Sequence, residues 1–141
     1  SVTSIGEYAF YCCYSLASVT IGSGVTTIES SAFADCDNLT NITIGNSVIS
    51  IGESAFQFCS GITGELVIPD SVKSVGSGAF EDCLITSVKI GSGLESIGSD
   101  DFPYNHLESI IVSKDSPYLC TEDIYLRDTI FGREGCFQSY L

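Results

Sequence analysis

Short segments in which apolar and polar residues alternate recur along the chain at nearly constant spacing. They occupy residues 18–21, 41–44, 65–68, 87–90 and 109–112. Alternation with a period of two predicts β-strands that bury one face and expose the other. A turn containing Gly or Pro follows each of the first four segments, and it precedes a second apolar pair, such as Val25 and Ile28. The pattern therefore predicts a repeating unit of strand, corner and apolar pair.

A further motif, Ala-Phe-x-x-Cys, lies between the apolar pair and the next strand. Its alanines, Ala9, Ala32, Ala55 and Ala79, are 23, 23 and 24 residues apart, and a degenerate fifth copy spans residues 101–105. The length changes fall between the cysteine and the following strand, where a loop absorbs them. Because the motif is too short for an independent helix, we expect a helical or 3₁₀ turn on the convex side.

No single repeat can bury its own apolar residues. Consecutive coils must therefore stack their Val/Ile, Ala and Phe positions into one elongated core. The length of 141 residues and the hydrophobic fraction of 44% are sufficient for one such domain. The sequence thus predicts a solenoid of about five coils, each of 22–24 residues, with parallel strands.

These residues resemble the BspA-like family of leucine-rich repeats, whose consensus runs approximately Leu-x-x-Ile-x-Ile-Pro-x-Ser-Val-Thr-x-Ile-Gly-x-x-Ala-Phe-x-x-Cys. Residues 66–83, which read Leu-Val-Ile-Pro-Asp-Ser-Val-Lys-Ser-Val-Gly-Ser-Gly-Ala-Phe-Glu-Asp-Cys, are the most similar stretch. The resemblance covers residues 1–112 and implies an α/β but β-rich fold, a right-handed leucine-rich-repeat solenoid. Residues 113–141 are expected to form an irregular C-terminal cap of the same domain. The resemblance carries over no catalytic residue.

The net charge of −13, from 18 acidic and five basic residues, bears on the class of partner. Binding to nucleic acid depends on clustered Lys and Arg, so no nucleic-acid partner is expected. The same charge disfavours anionic lipid, and no segment has the roughly 18 apolar residues of a membrane span, so no membrane insertion is expected.

Four of the seven cysteines, Cys13, Cys36, Cys59 and Cys83, occupy the repeat position. Residues one repeat apart form a straight column, whereas zinc ligands must converge on one point, so we expect no metal. Side chains in such a ladder also point in parallel, which favours buried, reduced thiols over disulfides. The other three cysteines, Cys12, Cys120 and Cys136, lie outside this column. Cys120 and Cys136 lie in the predicted cap, where a disulfide stays open as an alternative.

No constellation of catalytic residues is evident. His106 is the only histidine, and no nucleophile motif accompanies it, so a polar turn residue is the favoured interpretation. The Gly-rich corners lack a following Lys-Ser/Thr, so no phosphate or other cofactor is expected. A non-enzymatic protein is predicted; a catalytic alternative would need a site in the unassigned tail.

Alternation identifies two columns of outward residues on the strands, which are the candidate partner-binding residues. The first column is Ser18, Asn41, Glu65, Ser87 and Ser109, and the second is Thr20, Thr43, Val67, Lys89 and Ile111. Their area is roughly 200–300 Å², against about 800 Å² per partner in a standard interface. Weak binding is therefore expected unless many copies add avidity.

The resemblance implies an adhesion or protein-binding module of a cell-surface or secreted protein, which binds a host or neighbouring-cell protein such as a matrix component. Because most residues of the two outward columns are small and polar, a structural spacer without a partner remains the alternative. Residue 1 falls inside a repeat, which predicts an apolar N-terminal edge formed by Val2, Ile5, Ala9 and Phe10. We expect self-association or fraying at this uncapped end.

Overall fold

The computed structural model describes residues 1–97, Phe102, residues 105–113 and Asp115, together with the backbone of Phe137–Tyr140. The strands of this part are β1 (Ser4–Ile5), β2 (Ser18–Thr20), β3 (Thr27–Ile28), β4 (Asn41–Thr43), β5 (Ser50–Ile51), β6 (Thr63–Ile68), β7 (Ser74–Val75), β8 (Leu84–Ile90), β9 (Ser96–Ile97), β10 (Ser109–Val112) and β11 (Phe137–Tyr140). We number the coils from the N-terminus: coil 1 is residues 1–23, coil 2 is 24–46, coil 3 is 47–70, coil 4 is 71–92, and coil 5 begins at 93.

One side of the solenoid is a five-stranded parallel sheet in the order β1-β3-β5-β7-β9. Its strands have only two residues each. The register aligns the first residue of every strand, which is always a serine or threonine, from Ser4 through Thr27 to Ser96. The second residue of every strand is an isoleucine or valine that lies in the core or packs against it. Each apolar pair of the sequence therefore ends in a strand of this sheet.

The other side carries the longer strands, at the positions that the alternating segments predicted. They form two parallel sheets, β2-β4 and β6-β8-β10-β11. Within each sheet, equivalent residues of consecutive coils are paired, such as Thr20 with Thr43 and Val67 with Lys89. The prediction of a β-rich, parallel-strand solenoid of about five coils is confirmed.

The two sheets separate between β4 and β6, which do not pair with each other. Coil 3 is one residue longer than coil 2 between its cysteine and its strand, and Gly64 in this stretch has a φ of 77°. The pairing of β6 with β8 also shifts register between Gly64 and Glu65. The regular strand ladder is thus interrupted beside the coil that carries the extra residue.

The Ala-Phe-x-x-Cys segments form successive β-turns, and the expected helical or 3₁₀ turn is not found in the part of the chain that the structure describes. In coil 1 the amides of Ala9, Tyr11 and Cys13 each donate to the carbonyl oxygen three residues earlier. Tyr8 and Cys12 have positive φ, as the third residue of a type II turn requires, which a helical turn excludes. The conformation persists because the intervening amides pair between coils, as Phe10 N does with Ala32 O at 2.7 Å.

A stack of phenylalanine rings runs through the core from coil 1 to coil 5. The ring centroids of Phe10, Phe33, Phe56, Phe80 and Phe102 are 5.0, 5.1, 5.3 and 5.6 Å apart in sequence order, with interplanar angles of 2–3°. The last four of these side chains are at most 2% exposed. The predicted continuous core of stacked coils is confirmed in this column.

The described part contains no helix of the length and apolar character that a bilayer span requires. The segment predicted as a cap contributes β11, which pairs in parallel with β10 and continues the sheet. Cys120 and Cys136, for which a disulfide was left open, lie outside the described residues. Cys12 has a free thiol.

Candidate binding surface

The ten predicted partner-binding residues lie on the outward side of the longer strands. Ser18, Thr20, Asn41 and Thr43 of the first sheet are exposed. In the second sheet Glu65 and Val67 are exposed, whereas the outward residues of the next two strands are half-buried; these are Ser87, Lys89, Ser109 and Ile111. The register keeps both columns continuous within each sheet. The break between β4 and β6 divides each column into two sections.

A groove of about 660 Å³ lies at the C-terminal ends of the strands in the second sheet. Val67, Lys89 and Ile111 of the second column line it, and they occupy equivalent positions on neighbouring strands. Its other lining residues include the corner residues that follow the strands and one residue of coil 2, and they are Asn46, Pro69, Asp70, Ser71, Gly91, Ser113 and Asp115. The volume falls in the range of about 300–1,000 Å³ that is typical of ligand pockets.

Small corner residues pack closely against each other beside this groove. A Cβ atom on Gly91 would lie 2.5 Å from Asp70 N, and one on Gly93 would lie 1.9 Å from Asp70 O. Gly91 of coil 4 and Gly93 of coil 5 therefore pack directly on the corner of coil 3. Asp70 Oδ1 accepts a hydrogen bond of 2.7 Å from Ser92 N. Sequence reasoning identified these residues as turns but not as site residues. In the sequence, these corners are marked by Pro69, two residues after Val67, and by Gly91, two residues after Lys89.

The charges at the groove are unbalanced. Lys89 Nζ lies 3.7 Å from Glu65 Oε1 on the adjacent strand, so its charge is offset within the sheet. Asp70 and Asp115 add two carboxylates to the lining. Ser71 Oγ is buried at the groove and has no hydrogen-bond partner within the described chain. The groove therefore combines the apolar side chains of Val67 and Ile111 with an excess of negative charge.

The repeats of this chain match the model of a known protein family. Six copies of the BspA-type leucine-rich-repeat region match, over residues 1–108 and 59–122. The chain belongs to the BspA-type leucine-rich-repeat family. Proteins of this family are typically surface or secreted proteins of bacteria. A search of curated proteins finds no match.

Among solved structures, this BspA-type chain is similar to a leucine-rich-repeat protein from Bacteroides ovatus, with 28% identity and a TM-score of 0.70 over 80% of the chain. The chain spans only 37% of that protein. Two others show the same fold: the leucine-rich-repeat protein of T. pallidum (24% identity, TM-score 0.57, 98% of this chain and 80% of that chain), and one from Eubacterium ventriosum (21%, 0.55, 82% and 39%).

The repeat cysteines of this BspA-type array form a hydrogen-bonded ladder. The thiols of Cys36, Cys59 and Cys83 lie 3.0–3.2 Å from the carbonyl oxygens of Phe10, Phe33 and Phe56, one coil earlier. All three cysteines are free and buried. Burial raises the pKa of the Cys83 thiol to about 12, and it raises the pKa values of Cys36 and Cys59 as well. A protonated thiol is a poor metal ligand and a poor nucleophile, so the ladder is structural.

Asn105 occupies the cysteine position of coil 5. Its Nδ2 donates to Phe80 O at 2.7 Å, which is the bond that the cysteine thiol makes in earlier coils. Its Oδ1 accepts from Ile85 N at 2.9 Å. Coil 4 is one residue short after Cys83, and Ile85 N lacks the bond to the repeat cysteine's carbonyl that Ile62 N makes in coil 3. The asparagine therefore bonds two backbone groups of coil 4, a role that its alignment with cysteine did not predict.

The remaining polar residues of the described part include the only histidine of the sequence. His106 is exposed. Across the described ranges, no group of three or more His, Cys, Asp or Glu side chains is placed to hold a metal ion. Leucine-rich-repeat domains are typically non-catalytic.

Proposed function

We propose that this chain is a non-catalytic protein-binding module of a cell-surface or secreted protein, and that its partner docks at the groove beside Val67. The observation that carries the proposal is the groove itself, where the apolar side chains of Val67 and Ile111 lie near the carboxylates of Asp70 and Asp115. Val67 is 49% exposed on the edge strand β6, so its side chain is accessible to a partner.

The chemistry of the groove favours a partner segment that is both apolar and basic. An aliphatic side chain would cover Val67 and Ile111, and a Lys or Arg would pair with Asp70, whose Oδ2 is not used by the bond to Ser92. The net charge of −13 would steer such a segment toward the protein. A loop of a host or neighbouring-cell protein with this composition fits the surface roles typical of the family.

The other section of the columns contributes less to this proposal. The outward residues of β2 and β4 are Ser, Thr and Asn, without an apolar or charged anchor. This observation favours the second candidate function, a structural spacer with no partner of its own. The two candidates differ in whether the groove side chains affect any binding.

A binding measurement with two matched triple variants separates the candidates. Purified matrix and host-surface proteins are tested against the immobilised chain by surface plasmon resonance. The first variant replaces groove and strand residues (Glu65→Gln, Val67→Ser, Lys89→Gln), and the control replaces outward hydroxyls (Ser18→Ala, Thr20→Ala, Thr43→Ala). We expect at least a tenfold loss of affinity in the first variant only. Absence of binding across the panel, or equal effects of both variants, would favour the spacer.

A further inference from the structure

The side of the solenoid that carries the longer strands has a gap between coils 2 and 3. Among the described residues, β4 pairs with β2 alone and β6 pairs with β8 alone. The Cα atoms of β2 and β4 lie within 8 Å of each other along most of the two strands, but few Cα atoms of β4 and β6 come within that distance. The edges of β4 and β6 therefore diverge beyond the spacing of about 4.8 Å that paired strands keep.

The same two coils stay joined on their other sides. Backbone hydrogen bonds of 2.7–2.8 Å link them at the Ala-Phe turn and beside the short strands, through Phe33 N and Ile49 N. At the corner, Pro69 occupies the position from which Gly91 and Ser113 donate to the preceding coil, and proline has no amide hydrogen to donate. The gap is therefore confined to the longer strands, and the bonded sides hold the coils together around it.

The β6 edge of the gap carries unpaired backbone groups. Ile68 O accepts a hydrogen bond of 2.9 Å from Gly91 N, so the backbone groups of Ile68 face coil 4. Because these groups alternate in direction along a strand, the N–H and C=O groups of Glu65 and Val67 face the gap. They have no backbone partner among the described residues. Such an edge is a template for pairing with another chain.

The β4 edge faces the gap in the complementary way. Thr43 O accepts a hydrogen bond of 2.8 Å from Ile21 N of coil 1, so the backbone groups of Ile42 and Ile44 face coil 3. The side chain of Ile42 packs against the core but is only half-buried, whereas the equivalent side chain of coil 3, Leu66, is 2% exposed. The gap therefore gives access to apolar core surface as well as to two strand edges.

We infer that an extended segment of the partner protein inserts into this gap as an additional parallel strand. One inserted strand occupies two strand spacings, which is about 9.6 Å between the two edges. Its inward residue donates to Glu65 O and accepts from Val67 N, and the residues on either side of it pair with Ile42 of β4. Because the gap adjoins the groove at Val67, this inference rests on the proposed function for the presence of a protein partner.

The side chains that border the gap define the chemistry of the segment. Its inward residue lies beside Ile42, which favours a small apolar side chain such as valine. The preceding residue lies beside Glu65, where a lysine pairs with the carboxylate, and the following residue lies beside Val67, where a β-branched side chain fits. The net charge of −13 also favours a basic segment. The expected core of the segment is therefore Lys-Val-Thr or a close equivalent.

Isothermal titration calorimetry with the synthetic peptide Gly-Ser-Lys-Val-Thr-Ser-Gly, blocked at both ends, tests the inference. N-methylation of the valine amide removes the bond to Glu65 O but keeps every side chain, and N-methylation of the first glycine, beyond the paired residues, is the control. We expect about tenfold weaker binding from the first modification and no change from the second.

A matched pair of protein variants separates the backbone of residue 67 from its side chain. Val67→Pro removes the amide that faces the gap and leaves the pairing of β6 with β8 in place, as an edge strand allows. Val67→Ser keeps that amide and removes only the apolar side chain. Both variants are checked for folding by circular dichroism. We expect Val67→Pro to weaken peptide binding several times more than Val67→Ser does.

Amide hydrogen exchange measured by NMR gives a direct readout on the unmodified chain. The amide of Val67 should exchange rapidly in the free protein and slowly with peptide bound, whereas that of Ile68, which faces β8, should be slow in both states. Three outcomes would overturn the inference: no binding of the unmodified peptide, equal binding of the two N-methylated peptides, or unchanged exchange at Val67.

These outcomes are distinct from failure of the proposed function. A peptide that tolerates N-methylation of its valine but is lost in the triple variant of Glu65, Val67 and Lys89 would contradict strand insertion and support docking at the groove through side chains. Absence of binding across the protein panel, with the peptide still protecting the amide of Val67, would contradict only the proposed function.

Discussion

Coil 1 and the inner coils share one sequence pattern but differ in burial. Phe10 is 42% exposed, whereas Phe33, Phe56 and Phe80 are at most 1% exposed. The same contrast holds at the alanine position, where Ala9 is exposed and the alanines of coils 2 to 4 are buried. The difference is the number of neighbours: coil 1 packs against one coil in the structure, and each inner coil packs against two.

This contrast shows that the interface between coils, and not the coil itself, is the unit of stability. In a solenoid each repeat contacts only its neighbours, so stability is approximately a sum over repeats and junctions. A Phe side chain in coil 1 has one ring face covered, and one in coil 3 has both faces covered. The consequence is that equivalent substitutions should have unequal effects along the chain.

The largest expected effect is on the phenylalanine stack. Phe56→Ala should destabilise the protein by about 3–5 kcal/mol, because it removes a buried ring and leaves a cavity between Phe33 and Phe80. Phe10→Ala should cost only about 1–2 kcal/mol, since its ring is partly exposed already. Urea denaturation of both variants measures the difference. If both variants lost the same free energy of unfolding, the number of neighbouring coils would not determine how much each ring contributes to stability.

A smaller effect is expected in coil 5, at Asn105. Asn105→Ala leaves Phe80 O and Ile85 N without their side-chain partner, which should cost about 2 kcal/mol. Asn105→Cys should cost about half as much, because a thiol can restore the bond to Phe80 O but cannot accept from Ile85 N. Denaturation midpoints of the two variants make the comparison. If cysteine is as good as asparagine, the bond to Ile85 contributes nothing.

The sequence predicted the period and the columns of equivalent residues, and it missed the elements that depend on backbone pairing between coils. The register of the Phe and Cys columns followed from the period, because stacked coils must align equivalent residues. The two-residue strands β1, β3, β5, β7 and β9 were missed, since two residues are too short to show alternation. The helical turn was wrong because the pairing between coils that supports positive φ at Tyr8 and Cys12 is not visible in one repeat.

The candidate site was predictable only in part, for a related reason. Alternation placed Val67, Lys89 and Ile111 on the outward side of their strands, which the structure shows. The groove also lies beside the break between β4 and β6, and its lining residue Gly91 packs closely against the corner of coil 3. These are relations between coils of unequal length, and a pattern that treats the coils as equivalent cannot predict them.

The cysteine ladder should make the inner coils sensitive to alkaline pH. Burial raises the pKa values of Cys59 and Cys83, the latter to about 12, above the value of about 8.5 in an unfolded chain. The stabilisation is complete below the unfolded pKa and is lost as the pH rises toward the folded pKa. Between pH 7.5 and pH 9.5, each of these thiols should therefore lower the free energy of unfolding by about 1 kcal/mol.

Urea denaturation at the two pH values tests this, with Cys59→Ala and Cys83→Ala as controls. Each alanine variant lacks one titrating thiol, so its stability should fall less between pH 7.5 and 9.5 than that of the unmodified chain. An unchanged pH dependence in both variants would show that these thiols are not the groups responsible.

The smallest expected effect concerns a contact between coils that lies on the surface and not in the core. Lys73 Nζ and Glu95 Oε1 are 3.0 Å apart and link coils 4 and 5, but both side chains are more than half exposed. Water and salt screen such a pair, and ordering two long side chains offsets much of the attraction. A double-mutant cycle with Lys73→Ala and Glu95→Ala should therefore give a coupling energy below about 0.5 kcal/mol, falling further at high salt. A coupling energy above about 1 kcal/mol would contradict this prediction. It would mean that exposed ion pairs, in addition to the buried Phe and Cys columns, stabilise the junctions between coils.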